Sequence, residues 1–280
     1  MVEKRRETAR ERRYLARRQS VKTPPTWVYT WGRLFRFLGF PFYLLYRLFI
    51  THTVVLGKEH LENLQPPLIF AGTHHSFVDM PLVRNALQQT AARRFANRLL
   101  VATSVYGFIT AGLFAHYAVL AFGLYPIRRK GEGDGERSLR EISRLMQAGN
   151  ALLIFPQGHH VRPQQERDND PSARFRPGAA RLAASLHATV VPFGLAGTEK
   201  AVPPFVEEFH GTVIAGIPVS IKRVPLVIAF GAPLHVTGGE SVQAFTARLQ
   251  VACYRLTRQA EDVLKKLEEA KGDTTDRGSR

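Results

Sequence analysis

From residue 66 onward the chain alternates short apolar runs with stretches of helical period, and few architectures accept that rhythm. Leu68–Gly72, Leu99–Thr103, Tyr125–Arg128, Ala151–Pro156, Thr189–Ala196 and Leu226–Gly231 read as strands, while Pro81–Ala92, Gly135–Gln147 and Gly178–Leu186 read as helices. Strands separated by helices predict an α/β domain with a central, mostly parallel or mixed sheet flanked by helices. Near the end Phe245, Leu249, Ala252, Leu256, Ala260, Val263 and Leu267 recur every three or four residues, the mark of an amphipathic closing helix. Cys253 sits on its face as a packing residue, and the tail beyond Lys271 reads as polar and loose.

With 280 residues and 45% hydrophobic content the chain can bury a proper core, which excludes a disordered or fibrous protein. A single cysteine excludes intramolecular disulfides and cysteine metal clusters. The 39 Lys and Arg outweigh 23 Asp and Glu, a net +16 that seeks a polyanion. Residues 1–22 hold nine of the cations against three Glu and run into an aromatic stretch, Trp27 to Tyr46, that contains both tryptophans. Basic residues beside Trp and Tyr suit an anionic membrane surface better than nucleic acid. Arg33, Arg36 and Arg47 interrupt that stretch, so it is expected to lie in the interface as amphipathic helices and not to span.

The expected organisation is a basic arm over 1–22, anchoring helices over 23–52, the α/β domain over 53–271 and a flexible tail over 272–280. A second apolar stretch, Leu99 to Ile127, has no Asp, Glu, Lys or Arg until Arg128. Because it lies between segments expected to share one site, it is read as a buried strand followed by a helix under the cleft.

His74-His75-Ser76-Phe77-Val78-Asp79 follows the first strand directly and sets an imidazole five residues before a carboxylate. At a strand end this pair can act as a general base with the carboxylate holding the ring's tautomer. The same residues also fit a capping box, with Ser76 capping a helix and Asp79 answering it. Other segments carry possible chemistry. Arg128 and Arg129 end an apolar run and can clamp a phosphate; Phe155-Pro156-Gln157-Gly158-His159-His160 ends another in an exposed turn. Arg176 precedes a helix N-terminus suited to an anion, opening at Gly178. Val191-Pro192 and Gly197 to Lys200 read as a wall of the cleft.

These blocks, in this order over residues 50–235, resemble the glycerolipid acyltransferase family that includes lysophosphatidate acyltransferases. The resemblance implies a base at His74 supported by Asp79, phosphate or phosphopantetheine contacts from Arg128, Arg129 and Arg176 with His160, and further substrate contacts from Gln157, Gly158 and His159. The family's third block reads Phe-Pro-Glu-Gly-Thr-Arg; here Gln157, Gly158, His159 and His160 follow Phe-Pro, and Thr73 stands where an asparagine commonly precedes the histidine. The reaction implied is transfer of a fatty acyl group from an acyl thioester to a lysophospholipid hydroxyl in phospholipid synthesis. No resident cofactor or metal is implied: acyl-CoA or an acyl carrier protein is the co-substrate. The partners expected are the anionic lipid surface, the lysophospholipid and the thioester donor, at the cytoplasmic face of the cell membrane, with no nucleic acid. Backbone N–H groups near Ser76 or Gly158 are the expected oxyanion donors.

Two other readings fit the same residues. One is an acyltransferase-fold membrane-binding protein with a non-phosphate acceptor or no activity. The other is a hydrolase with zinc or iron held by the pairs His74-His75 and His159-His160 together with Asp79.

Overall fold

The computed structural model describes residues 27–30, 52–104, 119, 122–127, 135–203, 212–214, 217–219 and 224–277. Its strands are β1 His52–Leu56, β2 Leu68–Gly72, β3 Leu99–Ser104, β4 Leu124–Ile127, β5 Ala151–Ile154, β6 Thr189–Ala196, β7 Thr212–Ile214, β8 Ile217–Val219 and β9 Pro225–Phe230. Its main helices are α1 Asp79–Gln88, α2 Gly135–Gln147, α3 Pro163–Arg167, α4 Gly178–Leu186 and α5 Val242–Arg277. Seven strands form one sheet in the order β1-β9-β6-β2-β5-β3-β4, and β7 pairs with β8 apart from it. Every neighbouring pair in the large sheet is parallel except β6 and β9, so the sheet is mixed.

Successive side chains of the central strands feed opposite layers. Leu68, Phe70, Leu153 and Phe193 pack with Leu82, Val83 and Leu87 of α1 on one face. Ile69, Ala71, Leu152 and Val190 pack with Ile142 of α2, Leu182 of α4 and Phe245, Leu249 and Cys253 of α5 on the other. Burial on both faces is why these strands appear in the sequence as continuous apolar runs and not as an alternation. The chain leaving β2 enters α1 on the first face, while the chain leaving β5 reaches α4 on the second. Because β2 and β5 are parallel neighbours, their carboxyl ends diverge at a topological switch point, where α/β sheets open a crevice.

The closing helix is tied to the end of β2. Gly194 of β6 allows the contact, since a Cβ there would lie 2.1 Å from the backbone nitrogen of Thr257. Cys253 donates its thiol hydrogen to the Ala71 carbonyl at 3.3 Å, and burial pushes its pKa up. The hydroxyls of Thr257 and Thr73 meet at 3.1 Å, so Thr73 anchors the strand end to the helix.

Several expectations change. The first helix begins at Asp79 and ends at Gln88, because the Thr90 hydroxyl donates to the Leu87 carbonyl and accepts from the Ala92 N–H, diverting the backbone into a turn. β5 stops at Ile154, where Phe155 to Gly158 turn away. The last helix runs to Arg277, beyond the tail expected from 272; no proline intervenes, and propagation adds one hydrogen bond per residue. β1 and the β7–β8 pair were not expected. Of the anchoring segment, only Trp27–Thr30 and His52 are described: His52 opens β1 and is not helical, while Trp27–Thr30 is a helical turn in which Tyr29 is buried against β4, its hydroxyl donating to the Leu124 carbonyl at 3.0 Å. The rest of that segment and the expected helix after β3 lie outside the described residues, apart from Val119 and Phe122, both helical. Among the described residues no helix is long and apolar enough to cross a membrane. Val191 and Pro192 are interior to β6 and belong to the core, not to a cleft wall.

Gly194→Ala should lower stability by on the order of 3 kcal/mol, because backbone and not a flexible side chain must move. Urea unfolding midpoints check this.

Candidate active site

His74 leaves the carboxyl end of β2 through Thr73, and Asp79 opens α1, so five residues of loop bring ring and carboxylate together. Nδ1 of His74 lies 2.8 Å from Oδ2 of Asp79. The same oxygen accepts the backbone N–H of His75 at 2.6 Å and of Ser76 at 2.8 Å. Asp79 is fully buried. Burial alone would raise its pKa, but the hydrogen bond and charge of His74, aided by His75 and the Ser76 N–H, hold it below the ordinary carboxylate value. A carboxylate only accepts, so Nδ1 of His74 carries the proton and Nε2 is left as the basic nitrogen.

Half of the expected capping box is present. Asp79 answers the Ser76 N–H, but the Ser76 hydroxyl donates to the Val202 carbonyl at 2.5 Å instead of capping the Asp79 N–H. The base-and-carboxylate geometry and this half-cap therefore coexist in one carboxylate.

The His74 side chain is one-fifth exposed. Phe155 stacks on its ring with centroids 4.1 Å apart and planes 14° from parallel, and His160 lies 4.0 Å away at 40°. Phe77, 47% exposed, meets His160 edge-on at 4.5 Å, so the surroundings of the His74 ring are partly apolar. Burial and the neighbouring His74 push His160 down to about 3, which leaves it neutral near pH 7. Its Nε2 has no partner.

The turn after β5 completes the site. The Gly158 N–H donates to the Phe155 carbonyl at 2.9 Å, and Gly158 has φ +77°, a conformation that favours glycine. Oε1 of Gln157 accepts the His74 N–H at 2.8 Å. His159 turns back to the Gln157 carbonyl at 3.1 Å and serves the turn. The Arg176 N–H donates to the Pro156 carbonyl at 2.9 Å, which brings its exposed side chain next to this turn. Arg128 and Arg129 lie outside the described residues. The Ser76 and Gly158 N–H groups themselves are occupied, one by Asp79 and the other by Phe155.

Sequence reasoning missed Glu166 and weighed His75 only as a metal ligand. His75 is fully buried, and its Nε2 lies 2.8 Å from Oε1 of Glu166 on α3, 91 residues away. Burial pulls its pKa down, but the Glu166 carboxylate, with Asp79 and Glu199, outweighs that and raises it to about 9. No local spacing announces such a pair; the only signal is a second histidine beside the first. The rings of His74 and His75 thus serve different carboxylates. Among the described residues no group of His, Cys, Asp and Glu converges to hold a metal ion. Behind the loop a cavity of about 670 Å³ opens between α3, the Thr198–Ala201 turn and α5; His75, Glu199 and Lys200 line it, and His74 does not.

Folded His75 keeps its proton to about pH 9 and unfolded His75 to about 6.5, so between those values the native state binds more protons and stability falls as pH rises, by up to about 3 kcal/mol. His160 acts in the opposite sense: the unfolded chain protonates it first, so its contribution is lost as pH falls below 6.5 toward 3. His75→Gln should flatten the alkaline fall, measured by urea unfolding at pH 6.5 and 9.

An acyltransferase family model matches residues 52–196, from β1 through β6. The chloroplastic 1-acyl-sn-glycerol-3-phosphate acyltransferase BAT2 of Brassica napus is 26% identical over 163 residues, which cover 58% of this chain and 42% of that protein. LPAT1, the chloroplastic enzyme of the same description from Arabidopsis thaliana, is 26% identical over 159 residues, covering 56% and 40%. The chain therefore spans about two-fifths of the length of the curated relatives it matches. The crystal structure of the 1-acyl-sn-glycerophosphate acyltransferase PlsC from Thermotoga maritima superposes with a TM-score of 0.52 at 16% identity, covering 89% of this chain and 87% of that one, and shares its fold. With more than half of its length matched by the family model, this chain belongs to the acyltransferase family.

Proposed function

We propose that this chain moves a fatty acyl group from an acyl thioester to the free hydroxyl of a lysophospholipid of the lysophosphatidate type, a step of phospholipid synthesis. The observation that carries the reading is the 2.8 Å contact between His74 Nδ1 and the fully buried Asp79, on a partly exposed ring at the sheet's switch point. Nε2 of His74 takes the proton of the acceptor hydroxyl as its oxygen attacks the thioester carbonyl carbon, and Asp79 stabilises the imidazolium. Collapse of the tetrahedral adduct breaks the carbon–sulfur bond, and the imidazolium returns its proton to the departing thiolate. No acyl-enzyme forms in this route.

Recognition of an anionic headgroup falls to arginines, since His160 is neutral and supplies no positive charge. Arg176 stands beside the Gln157 turn, and Arg128 and Arg129 are assigned the same role from the family resemblance. Acyl-CoA or acyl carrier protein delivers the acyl group, and the basic arm with its aromatic neighbours holds the enzyme on an anionic bilayer at the cytoplasmic face. The neutrality of His160 favours one second reading, an acceptor without phosphate.

His74→Ala should reduce turnover by roughly 10²–10⁴-fold with the thermal transition little changed. The decisive measurement is mass spectrometry of lipids formed from oleoyl-CoA and a mixed pool of phosphate-bearing and neutral lyso-acceptors. Acylated lysophosphatidate that disappears in His74→Ala supports the reading. Product equal in both proteins, or none from any acceptor, sinks it. Arg129→Ala should raise KM for phosphate acceptors about tenfold or more while leaving kcat close to wild type. An unchanged KM removes the arginine from headgroup binding.

A further inference from the structure

The loop that carries His74 is held by a second carboxylate, that of Glu166, which no part of the proposed reaction uses. Glu166 is buried on α3, and its Oε1 faces two donors: Nε2 of His75 at 2.8 Å and Nε2 of Gln157 at 2.7 Å. A carboxylate offers acceptors only, so it dictates both neighbours. Gln157 must turn its NH₂ toward Glu166, which leaves its Oε1 facing the loop, where it receives the His74 N–H at 2.8 Å. His75 must donate from Nε2, which fixes its ring while its own backbone N–H reaches Asp79 at 2.6 Å. The His74 carbonyl accepts the Val161 N–H at 2.9 Å. Both backbone polar groups of His74 are thus engaged from the β5 side, one of them through Gln157 and so through Glu166.

We infer that Glu166 is a positioning residue for His74: by orienting the Gln157 amide and holding His75, it sets where Nε2 of His74 meets the substrate. Glu166 touches no reacting atom. The inference rests on the acyl-transfer reading for its effect on rate, and on hydrogen-bond logic alone for its effect on the loop.

A carboxylate at position 157 would lie 2.7 Å from the carboxylate at 166, where both cannot stay ionised, so the pair must separate or take up a proton. Glutamate is what the resembled family's third block carries at that place, yet here it should be harmful unless position 166 changes with it. In wild type one oxygen of Glu166 accepts from both His75 and Gln157; in the double variant Q157E/E166Q the amide at 166 must rotate to split these contacts, its NH₂ donating to the carboxylate at 157 and its oxygen accepting from His75, and the His74 N–H again meets an acceptor. Net charge is unchanged, and each donor again has an acceptor.

The full-length protein should be tested as wild type, E166A, Q157E and Q157E/E166Q, with kcat and KM from oleoyl-CoA and lysophosphatidate, and with amide hydrogen exchange of the loop peptide containing His74. E166A and Q157E should each lower kcat about tenfold or more with both KM values within about threefold of wild type, and the double variant should recover kcat to within about threefold. Exchange at the His74 amide should quicken in both single variants and slow again in the double. Q157E with wild-type kcat and exchange would overturn the inference. So would E166A that lowers only the unfolding midpoint, or a double variant no better than Q157E. Should E166A fail to fold, the comparison of Q157E with the double variant decides alone. A wild-type enzyme without acyl transfer would remove the proposed function and leave exchange to judge the loop.

Discussion

A carboxylate withdrawn completely from water persists only where donors converge on it, and Asp79 meets that condition with one oxygen that takes three hydrogens. Two come from the backbone of the loop and one from the imidazole ring, so the chain's path and the ring's aim have a common cause. The start of α1 at Asp79 belongs to the same cause, because the carboxylate must sit on the first helical turn to reach back to Ser76. What the proposed chemistry needs, a histidine with one nitrogen committed and one open, comes from folding forces that act before any substrate arrives.

The surroundings of that loop come from distant parts of the chain. Cys253 and Thr257 of the closing helix fix Ala71 and Thr73, Val202 accepts from Ser76, and Gln157 reaches the His74 N–H. Helix and strand can approach this closely because Gly194 has no side chain. The loop is therefore supported by β5, by the Thr198 turn and by α5 together, and its order does not depend on its own residues alone.

Much of the scaffold was legible because its signals are local. β2 and β6, α2 and α4 fall where apolar runs and helical spacing place them, to the residue. The contact between His74 and Asp79 was legible for the same reason, as both lie within one loop. The missed parts are those fixed across distance or by competing local bonds. β1 is a five-residue run beside an aromatic segment that drew attention to lipid, although His52-Thr53-Val54-Val55-Leu56 carries β-branched residues suited to a strand. Tyr29 was assigned to the bilayer interface by composition, yet it packs on Tyr125, 5.3 Å between ring centroids, because burial is decided by tertiary neighbours. Glu166 has no spacing to His75 or Gln157 that a sequence pattern registers, and only the turn after β5 brings the three together.

The strand order also sets a calendar for the chain. β1 belongs to the start of the domain but pairs with β9, so His52 waits for Pro225 to find its register. The strands that frame His74, namely β2, β3, β5 and β6, are all synthesised before β9 leaves the ribosome. The open edge of β6 and the unpaired β1 are thus both closed by a single late segment. Long loops close slowly. Any chain cut before Pro225 would accordingly keep that flank bare, and would also lack α5, the helix that covers the second face of β2 and β6.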